Sequence, residues 1–263
     1  LILIAGILYR FIITSNGNFL FNMDNGRDFV DVREMMELKK LRLTGPASAI
    51  EGLYNGPFWY YLLVIPYIIS GGDPYGAIIM EIILWAIGGW FLLKLIESSS
   101  RFLVIPIGLA WVSSNYIVLT NLYSFNPNPV TLLTPLFIYG LLEYLKGRKY
   151  WILLVWFLGG AFFNFEMNFG VFTPLILLAC ILIVDKKLFR DRFFWYGFLI
   201  FILTLLPQVL FDLKHQFIMS KSIIRFLSES NAQEFNILRR LPVIWESYFN
   251  VLSATLMNQK FLS

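Results

Sequence analysis

The chain has 263 residues, 58% of them hydrophobic and 14% charged, with a formal net charge of +4. Soluble domains carry roughly 25% charged residues, so the composition argues against a soluble enzyme and for an integral membrane protein. The basic residues are scattered through short loops between apolar runs, as membrane anchors are, which argues against a nucleic-acid partner.

The first apolar run, Leu1 to Ile13, holds about 13 residues where roughly 20 span a bilayer. No small-residue cleavage site follows it, and Arg10 stands at its far end rather than its start. The run therefore reads as a first transmembrane helix rather than a signal peptide. With no initiating Met and no polar tail after Ser263, the sequence reads as part of a longer chain. Arg10 itself is expected to snorkel to the headgroups.

Charge follows at once in the run DNGRD, with Asp24, Arg27 and Asp28 at the membrane rim. From Asp28 to Leu43, apolar residues recur among charges at roughly helical spacing, which predicts an amphipathic helix lying on the membrane. Asn55, Gly56 and Pro57 form a turn that opens the short apolar run Phe58 to Ser70. That run contains Pro66 and stops at GGDP (71–74), so it is expected to lie in the interface rather than cross.

Further spans are predicted near 76–96, 102–122, 130–145, 151–163, 169–184 and 193–211. The stretch from Trp151 to Val184 is too long for one span and is broken by Asn164, Glu166, Asn168 and Gly170, so it reads as two short helices. If Phe58 to Ser70 does not cross, three basic clusters share one side: Lys94 with Arg101; Lys146, Arg148 and Lys149; and Lys186, Lys187, Arg190 and Arg192. The positive-inside rule favours that arrangement. The outer side then receives the loop 14–75, the NPNP turn (Asn126 to Pro129), the break at 164–170 and the segment after Asp212. Residues 214–263 are ambiguous, since Leu241 to Met257 reads either as a span or as an outer-face helix, with Arg239 and Arg240 as an anchor or a phosphate contact. The fold class is all-α: one polytopic helical bundle whose long first outer loop carries amphipathic juxtamembrane helices.

The order of these pieces resembles a known family. A short first helix, DNGRD, an amphipathic helix, LTGP (43–46), NGPFWYY (55–61), GGDP, NPNPVTLL, LGGAFFNFE and LPQVLFDLKHQF (206–217) are similar to the N-terminal portion of bacterial GT-C membrane glycosyltransferases. These include the protein O-mannosyltransferases and the lipid A aminoarabinose transferase. The resemblance implies a GT-C bundle in the cytoplasmic membrane, with its active site on the outer face. It further implies transfer of a sugar from a polyprenyl-phosphate carrier to a glycan, lipid or protein acceptor, usually with inversion. Asp24 matches the family's carboxylate just beyond the first helix and takes the catalytic role. Where relatives place a second acid in a later outer loop, this chain has Asn126 and Asn128.

Inverting transfer needs one base opposite the leaving group, and Asp24 is the expected base with Asp28 and Glu166 assisting. The departing lipid phosphate calls for cations or a divalent metal, Mg or Mn; Arg27 and, at the membrane rim, Arg10 are the nearest candidates. Asn55, Tyr60, Asn126, Asn128 and His215 are the other candidate substrate contacts, although a lone His more commonly makes an interfacial hydrogen bond. Glu81 and Glu166 are costly acids for membrane-embedded segments, and an alternative reading makes them relay groups of a transporter or lipid flippase. That alternative expects paired broken helices in two pseudo-repeated halves, and the sequence has one break. The single Cys180 lies in an apolar run, and no Walker loop, dinucleotide fingerprint or CxxC pair is present.

Overall fold

The computed structural model describes residues 1–230 and 237–256, with side chains over 1–228 and 241–250. The described chain is all-helical apart from one isolated bridge between Ala47 and Tyr54. In chain order the α-helices are α1 Ile2–Thr14, α2 Met23–Glu37, α3 Phe58–Ser70, α4 Tyr75–Ser99, α5 Val104–Ser113, α6 Asn115–Leu119 and α7 Asn128–Leu145. They continue with α8 Trp151–Phe165, α9 Met167–Gly170, α10 Phe172–Val184, α11 Arg192–Lys214, α12 Ile218–Ser230 and α13 Ile237–Leu256. Among the described residues three helical stretches are long and apolar enough to cross a membrane: Tyr75–Ser99, Met167–Val184 and Arg192–Lys214. Ile2–Gly17, Phe58–Ser70, Arg101–Ser113 and Trp151–Phe165 are apolar but shorter.

Local chemistry explains several boundaries. Asn22 and Asn25 each accept the other's backbone N–H, at 3.1 and 3.0 Å, and this reciprocal cap starts α2. The amphipathic helix expected to run to Leu43 stops earlier. Lys39 turns left-handed (φ 50°) and Lys40 N–H closes back on the Met35 carbonyl. It also does not lie free on a membrane, since Val32 and Met35 are buried and α2 packs on α3. α3 ends where Gly71 takes a left-handed φ of 64°, and Gly72 N–H returns to the Tyr67 carbonyl. The span expected over 102–122 is interrupted at Ser114, between α5 and α6. The expected break of the next long stretch falls at Glu166, between α8 and α9.

Four helices pack in the order α4, α7, α8, α11, with α1 and α5 against α4 and with α3 bridging α4 and α8. Trp59, Trp85, Trp156, Leu132 and Phe162 fill the centre. Small residues set how closely the axes approach, as is usual in membrane bundles. A Cβ on Gly88 of α4 would strike the Leu132 carbonyl of α7, and one on Gly160 of α8 would strike the Thr204 hydroxyl of α11.

The loops sort to two ends. Lys94, Arg101 and Lys146 border one cleft, and the Tyr144 hydroxyl donates to the Leu188 carbonyl, so all three basic clusters gather at one end. At the opposite end Leu20 N–H donates to the Leu122 carbonyl, the Asn126 amide to the Phe165 carbonyl and the Gln208 amide to the Tyr54 carbonyl. The first loop, the NPNP turn, the helix break and the exit of α11 therefore meet there. Arg239 and Arg240 lie outside the described side chains. α13 has 20 residues, with Val243, Ile244, Trp245 and Tyr248 exposed, and it is not among the three stretches apolar enough to cross.

Gly88→Leu should force α4 and α7 apart and cost about 1–3 kcal/mol, read as a lower midpoint of thermal unfolding in detergent. An unchanged midpoint would contradict the close approach at Leu132.

Candidate active site

The DNGRD residues occupy the first turns of α2, and helical geometry divides them. Asn25, Asp28, Val32 and Met35 form the buried stripe, and Asp24, one turn before Asp28, lies at its edge and is partly exposed. Asp28 is 2% exposed. Its Oδ1 accepts from Arg27 Nε at 2.9 Å and Nη2 at 2.8 Å, and its Oδ2 accepts from Trp59 Nε1 at 2.7 Å. Burial pushes its carboxyl above the usual carboxylate range, against the lowering pull of Trp59 and Arg27. Both oxygens have partners, so Asp28 pins α2 to α3 and does not assist at an open site. Arg27 Nη1 reaches Asp24 Oδ1 at 2.9 Å, one turn away. Burial works to lower the Arg27 pKa, yet the hydrogen bond and charge of Asp28, with Tyr60 and Asp24, hold it above its ordinary value.

Asp24 is about half exposed, at 48% of its side chain. It opens on a cleft of about 380 Å³ lined by Leu20, Phe21, Asn22, Tyr123 and Phe125. Its position in the first turn of α2 also places it at the positive end of the helix dipole. Sequence reasoning missed Tyr123 and Phe125. The signal was their spacing around Ser124 just before the NPNP turn, which puts both aromatic residues on the approach to Asp24.

The wall bearing these rings is held from behind. Asn25 Nδ2 donates to the Ser124 carbonyl. Asn128 Nδ2 reaches the Tyr123 carbonyl at 2.9 Å and the Thr120 carbonyl at 3.0 Å. Glu81, fully buried in α4, accepts from Phe125 N–H at 3.4 Å and from Asn128 Nδ2 at 3.3 Å. Asn126 is buried and tied to Phe165 at 2.6 Å. Asn126 and Asn128 therefore shape the cleft without lining it.

Arg10 does not snorkel. It is fully buried, stacked 3.7 Å over the Trp85 ring, with Nε donating to Asn121 Oδ1 at 2.6 Å. Trp85 stands one helical turn from Glu81, so α1, α4 and the segment 120–128 share one buried polar cluster.

The remaining candidates fall elsewhere. Asn55 is buried and its Oδ1 accepts from Met167 N–H at 3.2 Å, while Tyr60 is buried with its hydroxyl donating to Asp31 Oδ2 at 2.7 Å. Glu166 accepts from the Asn168 side chain at 2.9 Å and does not line the Asp24 cleft. His215 is exposed at the end of α11, stacked 4.1 Å from the Phe211 ring. For a divalent cation the donors are thin: no three His, Cys, Asp or Glu side chains converge among the described residues, and Asp24 is the one carboxylate in its cleft. That set does not fit a dedicated cation cage.

Compared with known proteins, the chain matches no family model, no curated protein and no solved structure. Its class thus rests on the residues and their geometry.

The two aspartates should separate in a stability assay. Asp28→Ala strands Trp59 Nε1 and Arg27 and should cost about 3 kcal/mol, whereas Asp24→Ala should stay within about 0.5 kcal/mol. Equal midpoints in denaturant unfolding would contradict their division into a buried pin and an exposed acid.

Proposed function

We propose that the protein is a membrane glycosyltransferase of GT-C type that moves a sugar from a polyprenyl-phosphate carrier to an acceptor hydroxyl, with inversion and with Asp24 as the base. The observation that carries this reading is the placement of Asp24. It is a half-exposed carboxylate at an aromatic-lined cleft, held on one oxygen by Arg27 and left free on the other. The order of sequence pieces that resembles the family supports it, as does their meeting at one end of the bundle.

In this mechanism Asp24 Oδ2 takes the proton of the acceptor hydroxyl as its oxygen attacks the anomeric carbon. The bond from that carbon to the phosphate oxygen breaks, and its electron pair leaves with the lipid phosphate. Arg27 orients Asp24, and its remaining N–H groups face the departing phosphate. Tyr123 and Phe125 offer ring faces against which a sugar can pack. The gathering of the three basic clusters at the other end supports an outer-face position for this cleft. The membrane is the cytoplasmic one. Glu81 holds the cleft wall through one oxygen, and the transporter or flippase alternative, which needs paired broken helices in two repeated halves, has one break in its favour.

Asp24→Asn should abolish transfer, by roughly 10²-fold or more, while leaving the unfolding midpoint and membrane insertion intact. Asp24→Glu should retain a fraction of activity. Full activity in Asp24→Asn, with lipid-linked sugar supplied, would remove the assignment.

A further inference from the structure

Two buried charges stand without an ion-pair partner. Among the described residues the buried acids are Asp28, Glu81 and Glu143. Asp28 is paired with Arg27, and Glu143 with Lys146 and Arg148. Glu81 in α4 has no cation at ion-pair distance among the described residues; its Oε1 meets the Phe125 N–H and Asn128 Nδ2. Arg10 in α1 likewise has no carboxylate: its partners are the Asn121 side chain and the Gly6 and Val112 carbonyls. A guanidinium keeps its proton in a protein, so Arg10 alone would be an uncompensated charge inside the bundle.

The register of the two helices brings these charges to one level. Thr14 Oγ1 lies 3.0 Å from the Tyr75 hydroxyl, a Cβ on Gly6 would strike the Trp85 ring, and one on Gly89 would strike Leu3. α1 therefore runs antiparallel to α4. Arg10, midway between Thr14 and Gly6, is level with the stretch midway between Tyr75 and Trp85, where Met80 and Glu81 stand. Contacts also join the two in a closed ring. Arg10 lies 3.7 Å over the Trp85 ring and bonds Asn121 at 2.6 Å. Asn128 Nδ2 donates to the carbonyl of Thr120, the neighbour of Asn121, at 3.0 Å and to Glu81 Oε1 at 3.3 Å. Glu81 in turn is one turn of α4 from Trp85, about 6 Å along the axis.

Four members of this ring carry a polar atom with no partner among the described residues. Arg10 Nη2, Asn121 Nδ2 and Trp85 Nε1 are donors, Glu81 Oε2 is an acceptor, and all four residues are fully buried. Ser124 Oγ, beside the Phe125 amide that Glu81 holds, is a fifth. Such a mixed set selects its ligand. A cation would be repelled by the guanidinium, and an anion by the carboxylate. Water is neutral, donates and accepts, and when buried typically makes about three hydrogen bonds to groups of this kind. We infer that Arg10 and Glu81 form an ion pair between α1 and α4 bridged by buried water, which donates to Glu81 Oε2 and accepts from Arg10 Nη2 and Asn121 Nδ2. The pair grips the segment 120–128 at two points, through Asn121 and through the Phe125 amide. It stands independently of the chemistry at Asp24.

The pair is tested by a double-mutant cycle on the full chain in detergent, read as the equilibrium constant of unfolding. Arg10→Met and Glu81→Gln should each shift it toward the unfolded state by on the order of 100-fold, the cost of stripping one partner from a buried pair. The double variant should lose no more than either single variant, where independent sites would multiply to about 10⁴-fold. Wild-type stability in Glu81→Gln, or the full multiplied loss in the double variant, would overturn the pair. The water is tested in the wild-type protein, with no variant that has to fold, by X-ray radiolysis and mass spectrometry. Hydroxyl radicals formed from a bound water oxidise the side chains around it. Trp85 should be oxidised although it is fully buried. Trp59, whose Nε1 is bonded to Asp28, and Trp156, enclosed by Phe194 and Phe201, are as deeply buried and should stay intact. Trp85 as unreactive as those two would overturn the bridging water.

Discussion

A fully buried carboxylate in an apolar bundle calls for donors, and Glu81 is matched on one oxygen, Oε1 accepting from Phe125 N–H and Asn128 Nδ2 while Oε2 has no partner among the described residues. Those two bonds tie α4 to the start of α7 and fix the segment that carries Tyr123 and Phe125. Arg10 performs the matching task from α1, where its guanidinium lies over Trp85 and is bonded to Asn121. Leu20 and Asn25 then dock on the same segment from the first loop. The cleft beside Asp24 is thus assembled from pieces about a hundred residues apart by polar groups shut away from bulk water.

The same economy explains why neighbouring acids in one short motif serve different ends. Four residues along a helix keep two side chains near one face, but the buried stripe of α2 is narrow, and it takes Asp28 while leaving Asp24 at its edge. Arg27 connects them, so the buried pin also orients the exposed acid. Desolvation raises the carboxyl of Asp28. Its stability contribution therefore favours the protonated form, and it weakens as pH rises through the interval between the ordinary carboxylate value and the raised one.

Much of the fold was legible because its punctuation is local. Pro57 and Gly71 bound α3, polar residues around Glu166 break the long apolar stretch, and basic clusters mark the ends of hairpins that the structure gathers together. The interruption at Ser114 was not legible, since a Ser-Ser-Asn run inside an apolar segment is compatible with a continuous helix. Long-range pairing was the main blind spot. Nothing near Arg10 reveals Asn121, nothing near Glu81 reveals the Phe125 amide, and the NPNP asparagines looked like ligands when they are buried braces. Of the candidate site, the position of Asp24 beyond the first helix was readable from order alone. Its aromatic wall depends on a contact that only the folded chain creates.

The central claim is that this cleft consumes a lipid-linked sugar. The most direct measurement is mass spectrometry of polyprenyl-phosphate sugars and surface glycans in cells with and without the gene. The account predicts that its loss leaves one polyprenyl-phosphate sugar accumulated and one glycan, lipid or protein product missing. Unchanged donor pools and unchanged products would contradict it.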